Sequence, residues 1–212
     1  MKLIHLSDLH LGKRINEVSM IEEQKYILDK VIDIIKEEQP DVLLLAGDIY
    51  DRTVPSEEAV SLLDCFLTRI SKKGIPIYLI SGNHDSGERL QFGAALLKNN
   101  GIYFSTVYKG EVDSFMLKDQ YGELQIHLLP FVKPAQVRNY FPNEKIENYN
   151  DALSVIINHM NIDNSIRNVI VAHQLITGAA RTDSEEISIG GQDNCDAQLF
   201  SPFDYVALGH LH

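Results

Sequence analysis

Residues 42–52 read VLLLAGDIYDR, a five-residue apolar run followed at once by glycine and then by acidic side chains. A short continuous apolar run that ends at Gly-Asp is typical of a strand buried on both faces in a parallel sheet. Open α/β sheets hold their functional sites just beyond the carboxyl ends of the strands. The sequence therefore predicts that Asp48 lies in such a site.

Four other apolar runs end in the same way, with metal-ligating side chains just past the last apolar residue. The runs and the side chains that follow them are 3–6 with Asp8 and His10, 77–80 with Asn83, 169–172 with His173, and 205–208 with His210 and His212. Side chains two residues apart in extended backbone point to the same side. Each Asp-x-His or His-x-His pair can therefore reach one ion.

The ligand types indicate which metals and which chemistry to expect. Carboxylate, imidazole and amide ligands suit manganese, iron or zinc better than calcium or magnesium. Their number fits two divalent cations about 3.5–4 Å apart, which clamp a phosphate and activate a hydroxide to attack it. Each motif alone also has an ordinary explanation as a turn, a helix cap or a hydrogen-bonded core histidine. All of them in this order predict a two-metal phosphoesterase.

Helical and strand patterns alternate in the first half of the chain. Apolar residues recur at helical spacing between residues 20 and 35, and again between residues 59 and 70. Strand–helix–strand alternation of this kind predicts parallel strands joined by right-handed crossovers.

The second half of the chain has a different pattern, with extended segments in place of helices. Residues 112–118 and 124–129 flank the turn-prone segment 119–122, which predicts a β-hairpin. We expect this hairpin, residues 102–104 and the strands of the last two ligand motifs to form a second sheet packed on the first.

Four fuller strings carry a family resemblance: HLSDLHLG at 5–12, GDIYDR at 47–52, GNHDS at 82–86 and AHQ at 172–174. They resemble the calcineurin-like metallophosphoesterase superfamily, and within it a branch of DNA-repair nucleases. The resemblance implies an α/β (α+β) fold, a two-sheet β-sandwich flanked by helices. It also implies that residues 1–212 are one nuclease domain of a longer protein, without its capping and partner-binding regions.

The same resemblance assigns a role to each ligand residue. It implies a first metal held by Asp8, His10 and His212, a second held by Asn83, His173 and His210, and Asp48 as the bridge between them. Mn²⁺ is the expected ion at both positions. His84 would face the substrate and stabilise the transition state or protonate the leaving oxygen, a task that suits histidine near neutral pH.

Asp51 is the position at which the family pattern divides. Phosphoprotein phosphatases of the superfamily carry an aspartate here that orients the histidine, whereas archaeal repair nucleases carry a histidine. Asp51 therefore has two interpretations: a catalytic residue that orients His84, or a cap of the turn before Pro55.

Basic side chains beside the ligand motifs are candidates for substrate binding. Lys13 and Arg14 follow the first ligand pair, and Arg52 ends the second motif. Arg52 either binds a phosphate bidentately or forms an ordinary ion pair with Glu57 or Glu58. Both interpretations remain open for Arg52, and exposed surface charge remains open for all three.

The net charge of −11 counts against a protein that wraps DNA through bulk electrostatics. Local charge and metals can still bind a scissile phosphate, so a nuclease is not excluded. The resemblance implies a manganese-dependent exonuclease on double-stranded DNA ends and an endonuclease on single strands or hairpins. It also implies a homodimer and an ATPase partner of the structural-maintenance type.

Two other functions compete with the nuclease. The Asp51-Arg52 string and the acidic charge favour a phosphodiesterase or phosphatase that acts on a small molecule or a protein. A noncatalytic scaffold would not need the complete ligand set.

The remaining features are less specific. Cys65 and Cys195 have no metal-like spacing and are expected to be reduced thiols in a cytoplasmic protein without a leader or membrane segment. Residues 179–194 either border the substrate groove or form a solvated connection. His5, His127 and His159 lie outside the ligand motifs, so we expect structural roles for them.

Overall fold

The computed structural model describes residues 1–176 and 194–210. Its strands are β1 (Leu3–Leu6), β2 (Arg14–Ile15), β3 (Val18–Ser19), β4 (Val42–Ala46), β5 (Ile77–Ile80), β6 (Ile102–Ser105), β7 (Asp113–Asp119), β8 (Gly122–Leu129), β9 (Arg167–His173) and β10 (Tyr205–Gly209). Its α-helices are α1 (Ile21–Glu38), α2 (Glu57–Ser71), α3 (Gly87–Leu90), α4 (Ala94–Leu97), α5 (Pro134–Arg138) and α6 (Tyr149–Asn158). Lys98–Asn100 and Ala197–Phe200 form short 3₁₀ helices.

The first sheet contains four parallel strands in the order β1-β4-β5-β6. All five residues of β4 are buried, because helices cover one face of the sheet and a second sheet covers the other. Helices α1 and α2 pack on the outer face, where Ile32 and Phe66 contact the apolar cluster of Leu43 and Leu45. The predicted parallel strands with crossover helices are confirmed.

The second sheet has the order β10-β9-β8-β7. Strands β8, β9 and β10 run parallel to one another, whereas β7 and β8 form an antiparallel hairpin. Asp119 pairs with Gly122 at the end of this hairpin, so that the two residues between them make the turn. The hairpin lies where the sequence predicts it.

The two sheets pack face to face through an apolar layer. Leu44 and Tyr78 from the first sheet meet Ile126 and Val171 from the second in one buried cluster. Helix α6 covers the outer face of the second sheet. The predicted two-sheet sandwich with helices on its outside is confirmed.

The placement of residues 102–104 in the second sheet was wrong. These residues belong to β6, which pairs in parallel with β5 at the edge of the first sheet, from Ile77 opposite Ile102 to Ile80 opposite Ser105. Helices α3 and α4 return the chain to that edge as a further crossover. A four-residue apolar strand fits either sheet, so its sequence pattern does not identify its neighbours.

Two of the histidines outside the ligand motifs have structural hydrogen bonds. His127 is buried, with Nε2 at 3.0 Å from Asn168 Oδ1 and Nδ1 at 2.8 Å from the Ser114 hydroxyl. His159 Nδ1 donates to the Val155 carbonyl over 2.8 Å. These contacts agree with the predicted structural roles.

The predictions for His5, the two cysteines, residues 179–194 and a membrane segment can be compared with the structure only in part. His5 Nδ1 lies 3.4 Å from the Tyr205 hydroxyl. Cys65 is exposed on α2 and Cys195 is buried. The predicted loop at 179–194 falls almost wholly outside the described residues. Among the helices described, none is both long enough and apolar enough to traverse a lipid bilayer.

Candidate metal centre

The predicted ligands meet at one edge of the sandwich, where the parallel strands end. Asp8, Asp48 and Asn83 lie in the loops after β1, β4 and β5, while His173 ends β9 and His210 follows β10. The carboxyl ends of parallel strands point the same way, so five separate segments deliver side chains to one place. His212 lies outside the described residues, and its role as a ligand stays a prediction.

The backbone at these ligands has an unusual conformation. Asp8, His10, Asp48 and His210 have positive φ angles of 55°, 42°, 47° and 87°. L-residues rarely adopt this left-handed conformation, which costs about 1–3 kcal/mol and concentrates at functional sites. Aspartate and histidine tolerate this conformation better than most residues. Asn16, Glu17 and Gln39 also have positive φ angles away from the ligands, so the strain accompanies the site and does not alone identify it.

Asp48 is the central side chain of the site. It is only 2% exposed, and its Oδ2 lies 3.7 Å from His10 Nε2 and 3.3 Å from His173 Nε2. Its Oδ1 accepts a hydrogen bond of 2.9 Å from the backbone N–H of His84. One carboxylate thus belongs to two groups of donor atoms, Asp48 with His10 and His84, and Asp48 with His173 and His210.

The second donor group also includes the amide of Asn83. Asn83 Oδ1 lies 3.0 Å from His173 Nε2 and 2.8 Å from His210 Nδ1. His173 Nδ1 donates to the Ala46 carbonyl over 2.8 Å. That hydrogen bond directs Nε2 toward Asp48 and Asn83, which is the orientation that a metal-binding histidine requires.

The spacing of the donors can be compared with the geometry of bound divalent ions. Nitrogen and oxygen ligands bind such ions at about 2.1 Å. Two ligands of one ion, separated by an angle between about 90° and 109°, would therefore lie about 3.0–3.4 Å apart. The four observed distances from Asp48 and Asn83 to the neighbouring histidines are 2.8, 3.0, 3.3 and 3.7 Å, so two lie within this range and two lie within about 0.3 Å of it. The nitrogen and oxygen donors of both groups are suited to manganese, iron or zinc.

Charge within the site couples Asp48 to His173. Burial opposes ionisation of Asp48, but the hydrogen bonds and charges of His173 and His84 together outweigh it, so that the pKa of this carboxyl is lowered. Burial likewise opposes protonation of His173, yet Asp48 raises the pKa of the imidazole overall. A positive charge is therefore favourable beside Asp48, which is the property that a cation site requires.

The first donor group combines Asp48 with His10 and the ring of His84. The roles of Asp8 as a ligand of the first metal and of His84 as a residue facing the substrate stay predictions. Both carboxylate oxygens of Asp8 lie 3.1 Å from the backbone N–H of His210, which donates to them. The rings of His10 and His84 meet edge to face with centroids 4.9 Å apart.

Asp51 does contact His84, but not through its carboxylate as predicted. The Nδ1–H of His84 donates to the backbone carbonyl of Asp51 over 3.0 Å. The Asp51 carboxylate lies 3.6 Å from His10 Nδ1 and 3.8 Å from Arg52 Nε. The Asp51 side chain therefore faces the first ligand loop, while the Asp51 backbone carbonyl faces His84.

The predicted substrate-binding cations lie beside the site. The Arg52 side chain is 70% exposed and pairs with its neighbour Asp51, not with either predicted glutamate. Arg14 is exposed in the β2–β3 hairpin, where it bonds to the Glu17 carbonyl and lies 3.7 Å from its carboxylate. Lys13 is half-buried.

Sequence reasoning missed two residues that hold the ligand loops. The Gln24 side chain accepts from Gly12 N–H (2.9 Å) and donates to the carbonyls of Leu9 (3.2 Å) and His10 (2.7 Å). It thereby fixes the first ligand loop to α1. Its position within the helical pattern gives no sign of this contact.

Asp85 is the second missed residue, although it ends the Gly-Asn-His-Asp motif. Its buried carboxylate accepts N–H bonds from Ile49 (3.0 Å), Tyr50 (2.9 Å) and Gly82 (2.9 Å). Burial raises the pKa of this carboxyl, and the three N–H donors oppose the shift. Asp85 joins the loop after β4 to the loop after β5.

Gly82 and Gly209 lack side chains that would collide with the ligand residues and their backbone. A Cβ on Gly82 would lie 2.1 Å from Asp48 Oδ1, and one on Gly209 would lie 2.0 Å from the Ala46 carbonyl oxygen and 2.5 Å from His173 Nδ1. These separations are far below van der Waals contact. Only glycine allows the loops to approach the ligands this closely.

Sequence comparison relates this chain to known proteins. The sequence profile described as calcineurin-like phosphoesterase matches residues 1–212. A curated relative from Staphylococcus epidermidis, named as the SbcD component of the SbcCD nuclease, is 40% identical over 216 residues that cover 100% of this chain and 57% of the relative. A relative with the same name from Staphylococcus saprophyticus is 36% identical and is covered over 56% of its length. The chain thus spans little more than half the length of these relatives, and it belongs to the calcineurin-like phosphoesterase family.

Proposed function

We propose that this chain is the catalytic domain of a metal-dependent nuclease that hydrolyses phosphodiester bonds of DNA. The observation that carries this proposal is the pair of donor groups that share Asp48, in a chain of the phosphoesterase family. The names of the two staphylococcal relatives support a nuclease that acts as one subunit of an SbcCD complex. We further propose DNA as the substrate and an SbcC-type ATPase as the partner, in DNA repair, recombination and replication.

The protein side chains prepare the site for an anion. When bound, two divalent ions, for which Mn²⁺ is our proposal, supply Lewis acidity and lower the pKa of a water that serves as nucleophile. Among the predicted ligands only Asp8 and Asp48 carry negative charge, and the remainder are neutral imidazoles and an amide. Two carboxylates do not neutralise two divalent ions, so the ligand set retains the positive field that a phosphodiester requires.

We assign proton transfer to His84. The Asp51 carbonyl accepts its Nδ1–H, which orients the ring and leaves Nε2 as the nitrogen available to the substrate. The imidazolium then donates its Nε2 proton to the departing oxygen as the phosphorus–oxygen bond breaks. Asp51 acts in this step through its backbone, and its carboxylate holds His10 and Arg52.

The proposed activity comprises a double-strand exonuclease and an endonuclease on single strands or hairpins. Lys13, Arg14 and Arg52 are proposed to contact backbone phosphates at the rim of the site. The net charge of −11 limits the DNA affinity of the chain itself. An SbcC-type partner would therefore contribute much of the affinity of the complex for DNA.

The direct test compares two substrates in the presence of Mn²⁺: an end-labelled hairpin DNA and p-nitrophenyl phosphate. We expect cleavage of the hairpin by the wild type and its loss in Asp8→Ala. Asp33→Ala is the matched control, because Asp33 is an exposed carboxylate on α1 that pairs with Lys36. If SbcC-type partner and Mn²⁺ are both present and the hairpin stays intact, the nuclease proposal is rejected.

A phosphatase or small-molecule phosphodiesterase is the second candidate. The aspartate at position 51 favours it, because the phosphoprotein phosphatases of the superfamily carry an aspartate there. Turnover of p-nitrophenyl phosphate without cleavage of DNA would select this alternative.

A further inference from the structure

A cavity of about 270 Å³ adjoins the second donor group. Asn83 and His210 form one side of it, so its interior opens on the candidate metal centre. The other walls come from Phe131, Lys133, Tyr149 and Gln174, together with Leu175. Pockets for drug-sized ligands usually measure about 300–1,000 Å³, so this cavity suits one ring system and no extended ligand.

Gln174 is the informative residue of this cavity. Its side chain is buried, with 1% of the residue exposed, and neither its amide nitrogen nor its amide oxygen has a hydrogen-bond partner among the described residues. Buried amides are nearly always satisfied, because an unsatisfied one is costly. Both amide atoms are covered in this structure, so a ligand reaches them only after a small shift of the wall, and it must then supply both an acceptor and a donor.

The aromatic walls restrict the ligand further. The Phe131 ring lies nearly parallel to the His210 ring, at 28° with centroids 6.5 Å apart, and 6.0 Å from the Tyr149 ring. Flat aromatic surfaces beside a cation such as Lys133 are the usual environment for a nucleobase with its attached phosphate. An amide side chain complements the paired donor and acceptor on a base edge, as in glutamine–adenine contacts.

We infer that this cavity is a nucleobase subsite, which receives the base of the nucleotide whose phosphate lies at the metal centre. The inference rests on the proposed nuclease function and adds a recognition element to it. The base must be unpaired to enter, because both its face and its edge are engaged. The subsite therefore explains how the site would select single strands, hairpin loops or frayed ends over intact duplex.

Binding measurements test the subsite independently of catalysis. Calorimetry with the Mn²⁺-loaded full-length protein compares dAMP with deoxyribose 5-phosphate, which has the same phosphate and sugar but no base. Gln174→Met keeps the size of the side chain and removes the amide, and Gln125→Met makes the same change on β8 away from the metal centre. We expect Gln174→Met to weaken dAMP about three- to tenfold, the usual effect of lost neutral hydrogen bonds, and to leave deoxyribose 5-phosphate unchanged.

A stability measurement shows that the variant is folded. Removing an unsatisfied buried amide is expected to raise the Tm of Gln174→Met by about 2–4 °C. Equal affinity of the wild type for the two ligands, or equal weakening of both in Gln174→Met, would overturn the subsite. Base-dependent binding together with an uncut hairpin DNA would reject the nuclease but retain the subsite.

Discussion

At the scale of single residues, Asp48 connects the two donor groups of the site. One carboxylate oxygen reaches His10 and His173, and the other is fixed by the N–H of His84. The backbone around it is equally specific, since Asp48 itself has a positive φ and Gly82 lies against its carboxylate. Small changes in these neighbours should therefore act on metal binding before they act on the fold.

Gly82→Ala should abolish binding of Mn²⁺. The added Cβ would lie 2.1 Å from Asp48 Oδ1 and 2.3 Å from its nitrogen, so the carboxylate must move. Overpacking of this kind also costs about 1–3 kcal/mol of stability. Gly74→Ala is the control, because its Cβ would meet nothing within 4 Å and only its positive φ is strained. Calorimetric titration with Mn²⁺ compares the two variants. An Mn²⁺ affinity of Gly82→Ala equal to that of the wild type would refute the close approach of Gly82 to the Asp48 carboxylate.

Gln24→Met should weaken the first ion more than the second. The change removes three hydrogen bonds to the loop that carries Asp8 and His10 and leaves its backbone groups unpaired, at about 1–3 kcal/mol. A two-step Mn²⁺ titration together with urea unfolding measures both effects. The exposed Gln198→Met should match the wild type in both. Equal weakening of the two ions would argue against a local role for Gln24.

At the scale of elements, the site depends on loops held at the ends of parallel strands. Asp85 joins two of these loops through three N–H bonds, and the Ala46 carbonyl in β4 orients His173 in β9. The hydrogen bond between Ala46 and His173 joins the first sheet to the second. Packing of the sheets and geometry of the ligands are thus one structural requirement.

Stability should fall as the pH drops below about 6.5, in part because of His127. Burial lowers the pKa of this imidazole, while its hydrogen bond to Asn168 partly opposes the shift. The unfolded chain therefore binds a proton at a higher pH than the folded chain, so acid favours unfolding. His127→Gln cannot titrate, and its Tm should change less than that of the wild type between pH 7 and pH 5. Parallel Tm curves for the two proteins would contradict this assignment.

The sequence predicts those features that follow from strand order. Asp48, Asn83 and His173 could be placed together because each follows an apolar run and parallel strands end at the same edge. Gln24 could not be identified, because its partners are backbone groups of a loop that reach it only when α1 packs on the sheet. The carbonyl contact of Asp51 and the sheet that contains β6 likewise depend on tertiary packing.

At the scale of the whole molecule, the helical side of the sandwich exposes apolar side chains. Ile27 and Ile34 lie seven residues apart on one face of α1 and are 57% and 50% exposed. Exposed apolar side chains that share one helix face are typical of interaction surfaces. This surface is our candidate for the homodimer expected from the family resemblance.

We propose that this face of α1 forms the homodimer interface, in which case Ile27→Glu should yield folded monomers. A charge in an apolar interface costs affinity, but Ile27 is exposed in the single chain, so the Tm of the monomer should change little. Light scattering coupled to size-exclusion chromatography measures the mass. Leu96→Glu, at a 75% exposed residue on α4, is the control that should remain dimeric. A monomeric wild type would exclude the interface.

The central claim is a two-metal centre that depends on the shared carboxylate of Asp48. The most direct measurement is the number of Mn²⁺ ions bound per chain in the wild type, Asp48→Ala and His84→Ala. We predict two ions in the wild type, loss of both in Asp48→Ala because its Oδ2 serves both donor groups, and two in His84→Ala. One ion in the wild type, or two retained in Asp48→Ala, would contradict the shared site, and an ion lost in His84→Ala would make His84 a ligand.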